Sequence, residues 1–253
     1  MKMLAAVALV LAASAAPAQE MRGLDMDSPA MTEAELTRDH VAARLAADAD
    51  LSRLRLNGLD LTGLDFTGAR LRAARLNGAK LAGVRLDGAE LSQAWLLGAD
   101  LRGASLRRAQ LFQTQFGGAD LRGADLSESR AASDFTRADL TGARVVGADL
   151  SADMRNQSMG LMRGVLENAT ADGADFTGAK LMRVDLDFAS LKGAQLVGAD
   201  LSMATLGAAD LTGADVTGAV WRDADVASAR LIDLKGAGPA LDSARNLARA
   251  IRR

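Results

Sequence analysis

Residues 71–90 read LRAARLNGAKLAGVRLDGAE, with leucines at 71, 76, 81 and 86, five apart. Working outward, every fifth position from Leu51 to Leu126 is Leu or Phe. Two residues before most of them sits an alanine, as at Ala69, Ala79, Ala89, Ala99, Ala109 and Ala119. The same rhythm runs from Leu161 to Leu231, with Ala171, Val216, Trp221 and Val226 as substitutes. A helix would repeat its apolar residues every ~3.6 positions and a flat strand every ~2, so a period of five fits neither. A short extended piece followed by a corner fits it. The alanine and the leucine, two apart, then point to one side, and their neighbours point outward. The frequent glycine two after the leucine suits a corner that needs unusual backbone angles. Repetition winds the chain into a coil with alanine and leucine inside, and stacked coils supply the core that one coil cannot.

Units such as Ala119-Asp120-Leu121-Arg122-Gly123 and Ala209-Asp210-Leu211-Thr212-Gly213 resemble the tandem Ala-(Asp/Asn)-Leu-X-X units of the pentapeptide-repeat family. The resemblance covers residues 51–231. It implies an all-β solenoid, a right-handed quadrilateral β-helix with four units per coil. Some 35 units would then give about nine coils and a rod roughly 40 Å long at the usual strand spacing. Leucine-rich repeats are the nearest alternative, but their unit of ~20–29 residues carries a different internal spacing.

The rhythm breaks over 127–134 and 151–160. Leu126 to Phe135 is nine residues, one short of two units, and Leu150 to Leu161 is eleven, one more than two. The segment 151–160 lacks the pattern and reads as a bulge and a candidate contact loop. The two raw ends of a solenoid need covers. Within the N-terminal segment 19–50, Thr32-Glu33-Ala34-Glu35 reads as a capping box flanked by Met31 and Leu36, predicting a capping helix over about 33–46. Within 232–253, Pro239 opens a second predicted helix whose stripe is Leu241, Ala244, Leu247, Ala248 and Ile251. That helix is also a candidate homodimer contact.

Residues 1–18 have the layout of a cleavable signal peptide. Lys2 is followed by an apolar run from Leu4 to Ala13 and a small-residue site at Ala16-Pro17-Ala18. The run is shorter than the ~20 residues that span a bilayer, so no membrane span is expected after cleavage. The expected location is periplasmic or secreted. The chain has no cysteine, so any stability in an oxidising compartment comes without disulfides.

Signals of catalysis are missing. His40 is the only histidine, and the many Asp residues before the leucines follow the repeat, as turn residues do. No phosphate-cradling or zinc-ligand spacing is present, and no cofactor is expected. Met21, Met26 and Met31 recur, as do Met154, Met159 and Met162, and the second set is the candidate metal group, since thioethers suit Cu(I). Methionine also fills irregular core gaps. Residues 51–126 hold eleven Lys/Arg and seven Asp/Glu, a net of +4, and 127–231 hold ten and fifteen, a net of −5. The rod is therefore bipolar. Apolar residues at outward positions nominate a protein contact at Trp95, Leu97 and Phe112, and Met162 and Met182, twenty apart, as a stacked pair on another side.

Three functions follow. The first is an exported, non-catalytic scaffold or protein-binding surface of the cell envelope, with an unidentified protein partner. The second, known for some members of the family, is a DNA mimic that binds a type II topoisomerase. It needs a strongly acidic cytoplasmic surface, whereas 51–231 carries 22 acids against 21 bases. The third is periplasmic copper binding. Direct nucleic-acid binding is not expected, because the basic half lacks a continuous Arg stripe interleaved with stacking aromatics.

Overall fold

A computed structural model of the chain describes Asp25, residues 27–153 and residues 162–252. Residues 1–18, with Ala16 and Ala18, and Met21, Met26, Met154, Met159 and Leu161 lie outside the described residues.

Parallel bridges join residues twenty apart over most of the chain, so four five-residue units make one coil. Four stacked sides result. Side 1 runs Asp50, Arg70, Glu90, Gln110, Arg130, Asp149, Lys180, Asp200, Val220. Side 2 runs Arg55, Arg75, Trp95, Gln115, Asp134, Val165, Asp185, Thr205, Asp225, Arg245. Side 3 runs from Asp60 to Ile251, and side 4 from Asp65 to Lys235. Each side gives one bridging residue per coil before the chain turns again, so the bridges stay isolated and no longer strand forms. The residue before each leucine donates its N–H one coil back, and the leucine donates one coil forward, as in Arg70 N–H to the Ala49 carbonyl at 2.9 Å and Leu71 N–H to Glu90 at 2.7 Å. Each corner closes on itself, as when Ala79 N–H donates to the Leu76 carbonyl at 3.0 Å. We number the corners by the side they follow; the first corner thus carries residues 52–53, 72–73, 92–93 and their successors.

The interior is the leucine and alanine columns. Leu76, Leu101 and Leu191 are buried, as are the alanines two residues before the repeat leucines from Ala69 onward. On side 2, Phe116 and Phe135 replace leucine on neighbouring coils and stack with ring centroids 4.9 Å apart. Burying a leucine side chain contributes about 2 kcal/mol, and here the same small contribution recurs at every side of every coil.

Outside, the Asp before the leucine turns back on the corner. Its carboxylate accepts from the backbone N–H two residues on, as in Asp65 to Thr67 at 2.9 Å and Asp139 to Thr141 at 2.9 Å. These bonds hold the Asp60, Asp65 and Asp215 carboxyls below the ordinary carboxylate range, the threonine hydroxyl at 62, 67 and 217 being the main cause. Opposite charges also stack twenty apart, as Arg70 over Asp50 at 3.3 Å and Arg85 over Asp65 at 3.4 Å.

The ends differ from the sequence expectation. At the N-terminus, α1 is Pro29–Thr32 and α2 is Arg38–Ala47. The Thr32–Glu35 capping box does not form. Ala34 instead pairs antiparallel with Leu56, and the Glu35 carboxylate accepts from Arg55 N–H at 3.0 Å. Thr37 caps α2, reciprocally with His40. Val41 of α2 is fully buried in the core. At the C-terminus the predicted helix after Pro239 is absent. Two 3₁₀ turns, Pro239–Ser243 and Leu247–Arg249, stand there instead. Arg245 and Ile251 stay in register over Asp225 and Arg230, which an α-helix would forbid. Leu241, Ala244, Leu247 and Ala250 pack against the core at a spacing of three, the 3₁₀ period.

Leu101→Ala removes a packed side chain from a mid-rod coil, and its stacked neighbours cannot close the gap. The expected cost is about 2–5 kcal/mol, measured as a lower urea midpoint.

Candidate functional site

Both breaks in the repeat fall on the first corner, in successive coils. Side 1 passes from Arg130 to Asp149, an offset of nineteen, and side 2 from Asp134 to Val165, an offset of thirty-one. The nine-residue break is a corner with one residue, Ala132, where two are normal. Ser133 follows it in an alanine position and is buried. One coil earlier the same column holds Thr114. The Ser133 hydroxyl donates to the Leu111 carbonyl, and the Thr114 hydroxyl to the Leu91 carbonyl at 2.8 Å. These two bonds satisfy the only hydroxyls placed in that inward column.

The second break puts residues 151–163 where a regular corner has two, an excess of eleven. The pattern-free segment 151–160 falls within it. Eleven exceeds two units by one, so the five-residue phase shifts by a single residue. Ala152 N–H donates to the Met182 carbonyl at 3.1 Å, Asp153 N–H to Met162 at 2.8 Å, and Gly164 N–H closes the corner on the Leu150 carbonyl at 2.9 Å. Gly164 stands in an alanine position, but a Cβ there would lie 2.9 Å from the Leu150 carbonyl oxygen and 3.1 Å from Leu150 Cβ. Arg163 binds Asp185 at 2.6 Å, and Asp185, only 9% exposed, also accepts from Asp187 N–H and the Thr205 hydroxyl.

This geometry rearranges the contact residues expected from the sequence. Ala152, not Met162, is the rung beside Met182. Met162 reaches back across the short corner, where its sulfur accepts from Gln113 Nε2 at 3.1 Å; Gln93 Nε2 in turn donates to Gln113 Oε1 at 3.2 Å. Phe112, Met162 and Met182 thus share the first corner. Trp95 lies on side 2, and Leu97 lies on the second corner. There Leu97 lines a groove of about 370 Å³ with Met31, Thr32, Gly58, Asn77 and Gly78. Trp95, Leu97, Phe112, Met162 and Met182 are each half-buried. The large apolar side chains most open to solvent are others: Phe188 at 59%, Val220 at 45% and Ile251 at 42%. Phe188 occupies a second-corner position with φ +60°, where the first coils carry glycine. The absent Gly two residues after Leu186 is the signal that could have found it.

Among the described residues no group of three or more His, Cys, Asp or Glu side chains could hold a metal ion. No described helix is long and apolar enough to cross a membrane. Asp187, beside Phe188, has its carboxyl raised above the ordinary range, by burial first and by the neighbouring Asp185 charge as well.

Two substitutions test this region. Gly164→Ala forces its Cβ against backbone and is expected to cost about 1–3 kcal/mol, read as a lower urea midpoint. For Asp187 the raised carboxyl means that folding favours its protonated form. Its cost is absent below the unfolded-state pKa and appears as pH rises through the folded value. Asp187→Asn should therefore raise Tm at neutral pH, with the gain disappearing below about pH 3.

Similarity to known proteins follows the repeat. A family model described as pentapeptide repeats matches in eight copies over residues 47–88, 85–123, 109–152 and 165–196. No curated protein matches the chain. Among solved structures, HetL, a pentapeptide repeat protein involved in heterocyst differentiation regulation from the cyanobacterium Nostoc sp. strain PCC 7120, is 28% identical. The match covers 86% of this chain and 95% of HetL, with a TM-score of 0.40. QnrB1, a plasmid-mediated fluoroquinolone resistance protein, is 20% identical over 79% of this chain and 91% of its own, with a TM-score of 0.42. A pentapeptide repeat protein of the Arabidopsis thaliana thylakoid lumen is 25% identical over 52% and 67%, with a TM-score of 0.19.

Proposed function

The chain belongs to the pentapeptide-repeat family, and on that footing we propose that it is an exported, non-catalytic rod whose flanks bind protein in the cell envelope. One observation carries the reading: the repeat carboxylates are engaged as corner acceptors and stacked ion pairs, so the chemistry of the surface is that of recognition. His40 serves as the partner of the Thr37 cap. Export rests on residues 1–18, with their positive start, apolar run and Ala16-Pro17-Ala18 site. The right-handed winding and the nine-coil length belong to the same reading. So does a homodimer through the C-terminal coil, where Ile251 is exposed beside the last bridges.

The topoisomerase reading has less support, since acids and bases nearly balance over 51–231. Copper binding has less again. Met162, the described member of its methionine group, has its sulfur engaged by Gln113.

The test is affinity capture from the envelope fraction with wild type and with Trp95→Ala/Phe112→Ala. The expected result is a chain cleaved after Ala18, outside the cytoplasm, that retains a defined protein which the double variant loses. An unprocessed cytoplasmic chain that protects a topoisomerase would overturn the reading.

A further inference from the structure

Phe188 is the most exposed large apolar side chain among the described residues. It stands on the second corner, between sides 2 and 3, one residue after Asp187. The coil beyond holds Gly207 and Ala208 at this corner, and the next one Ala227 and Ser228. On that flank the corner thus carries no side chain larger than that of serine. Gly207 is also demanded by Asp187. A Cβ there would lie 3.0 Å from Asp187 Oδ1, and the Gly207 N–H donates to that oxygen at 2.7 Å.

Asp187 is half-buried and has no ion-pair partner among the described residues. The cations around it are already engaged. Arg163 binds Asp185 at 2.6 Å, while Lys192 and Arg230 lie on Asp210 at 3.8 and 3.3 Å. Glu167, one coil back on the same corner, and Asp172, one coil back on the third corner, are likewise in no ion pair among the described residues. Across the three coils, residues 165–172, 185–192 and 205–212 hold five acids, Glu167, Asp172, Asp185, Asp187 and Asp210, and one base, Lys192. An apolar partner would strip water from Asp187 and leave its charge unpaired. A second copy of this patch, or a nucleic acid, would bring like charge to it. A guanidinium does neither, because it stacks flat on an aromatic ring and meets a carboxylate with two N–H donors at once.

We propose that the second corner at Asp187-Phe188 is a docking point for an arginine-bearing segment of a partner protein. The guanidinium stacks on the Phe188 ring and donates to the Asp187 carboxylate, and Glu167 and Asp172 draw further basic residues of the same segment. The proposal rests on the protein-binding reading above and names the place on the rod and the partner chemistry.

The probe is a short labelled synthetic peptide of alternating arginine and serine, followed by fluorescence anisotropy beside versions with lysine or glutamate in place of arginine. The wild-type chain should bind the arginine peptide more tightly than the lysine peptide and should not bind the glutamate peptide. Phe188→Gly, which suits the φ of +60° at that position, and Asp187→Asn should each weaken binding of the arginine peptide about tenfold. Asp187→Asn should at the same time raise Tm at neutral pH, which separates loss of contact from loss of fold. Val220→Ala/Asp223→Asn takes an exposed apolar side chain and a carboxylate from side 1 and the first corner, and should leave binding unchanged. No binding of the arginine peptide, equal binding of the lysine peptide, full binding by either second-corner variant, or equal weakening by the Val220/Asp223 variant each overturns the proposal. Envelope capture that survives both Phe188→Gly and Asp187→Asn would overturn it too, and would leave the protein-binding reading standing with the partner on another flank.

Discussion

Everything in this molecule depends on the backbone register between coils. Each bridging residue donates to the coil behind, and the leucine after it donates to the coil ahead. A five-residue unit therefore has no hydrogen-bonded partner of its own apart from its corner. Stability is a property of neighbouring coils, not of any segment alone. The aliphatic columns follow from that register. An offset of twenty puts leucine on leucine and alanine on alanine, and among the described residues the inward columns carry no polar side-chain atom beyond the hydroxyls of Thr114, Ser129 and Ser133 and the Trp221 indole nitrogen.

The same register decides what sequence could and could not disclose. Five-residue spacing of leucine revealed the coil, the inward columns and the outward Asp, because one inward pair per unit is all that the winding requires. It could not reveal four units per coil; that number appears only in which residues pair across coils. At the break at 150–164 phase alone would not have been enough. A sequence phase records length only modulo five, and eleven extra residues have the phase of a single inserted one; the loss of the pattern over 151–160 is what marks the longer segment. The C-terminal segment misled for a related reason. Leu241, Ala244 and Leu247 fit a helical stripe, but a spacing of three serves 3₁₀ turns equally well, and Arg245 and Ile251 are tied to the coil beneath. At the N-terminus, Thr32 and Glu35 had the chemistry of a cap, and Ala34 was claimed by Leu56.

The candidate contact residues were legible in part. Phe112, Met162 and Met182 stood out as apolar residues at outward positions, and all three fall along the first corner. Phe112 and Met182 take their places there from the regular register, whereas Met162 does so because the short turn is followed by a long one, so that its sulfur reaches Gln113. Trp95 and Leu97 belong to other parts of the surface. Phe188 escaped notice because its exposure follows from a backbone angle, and a side chain at a left-handed corner points away from its neighbours.

The excursion between Leu150 and Gly164 begins and ends at adjacent points of one turn, and the bridges resume on either side of it. Growth of the chain at such a place adds length without displacing a single rung. A rod built this way can change its local outline by lengthening one bend while its axis, its thickness and the order of its remaining surfaces stay fixed. New specificity can thus be acquired one detour at a time.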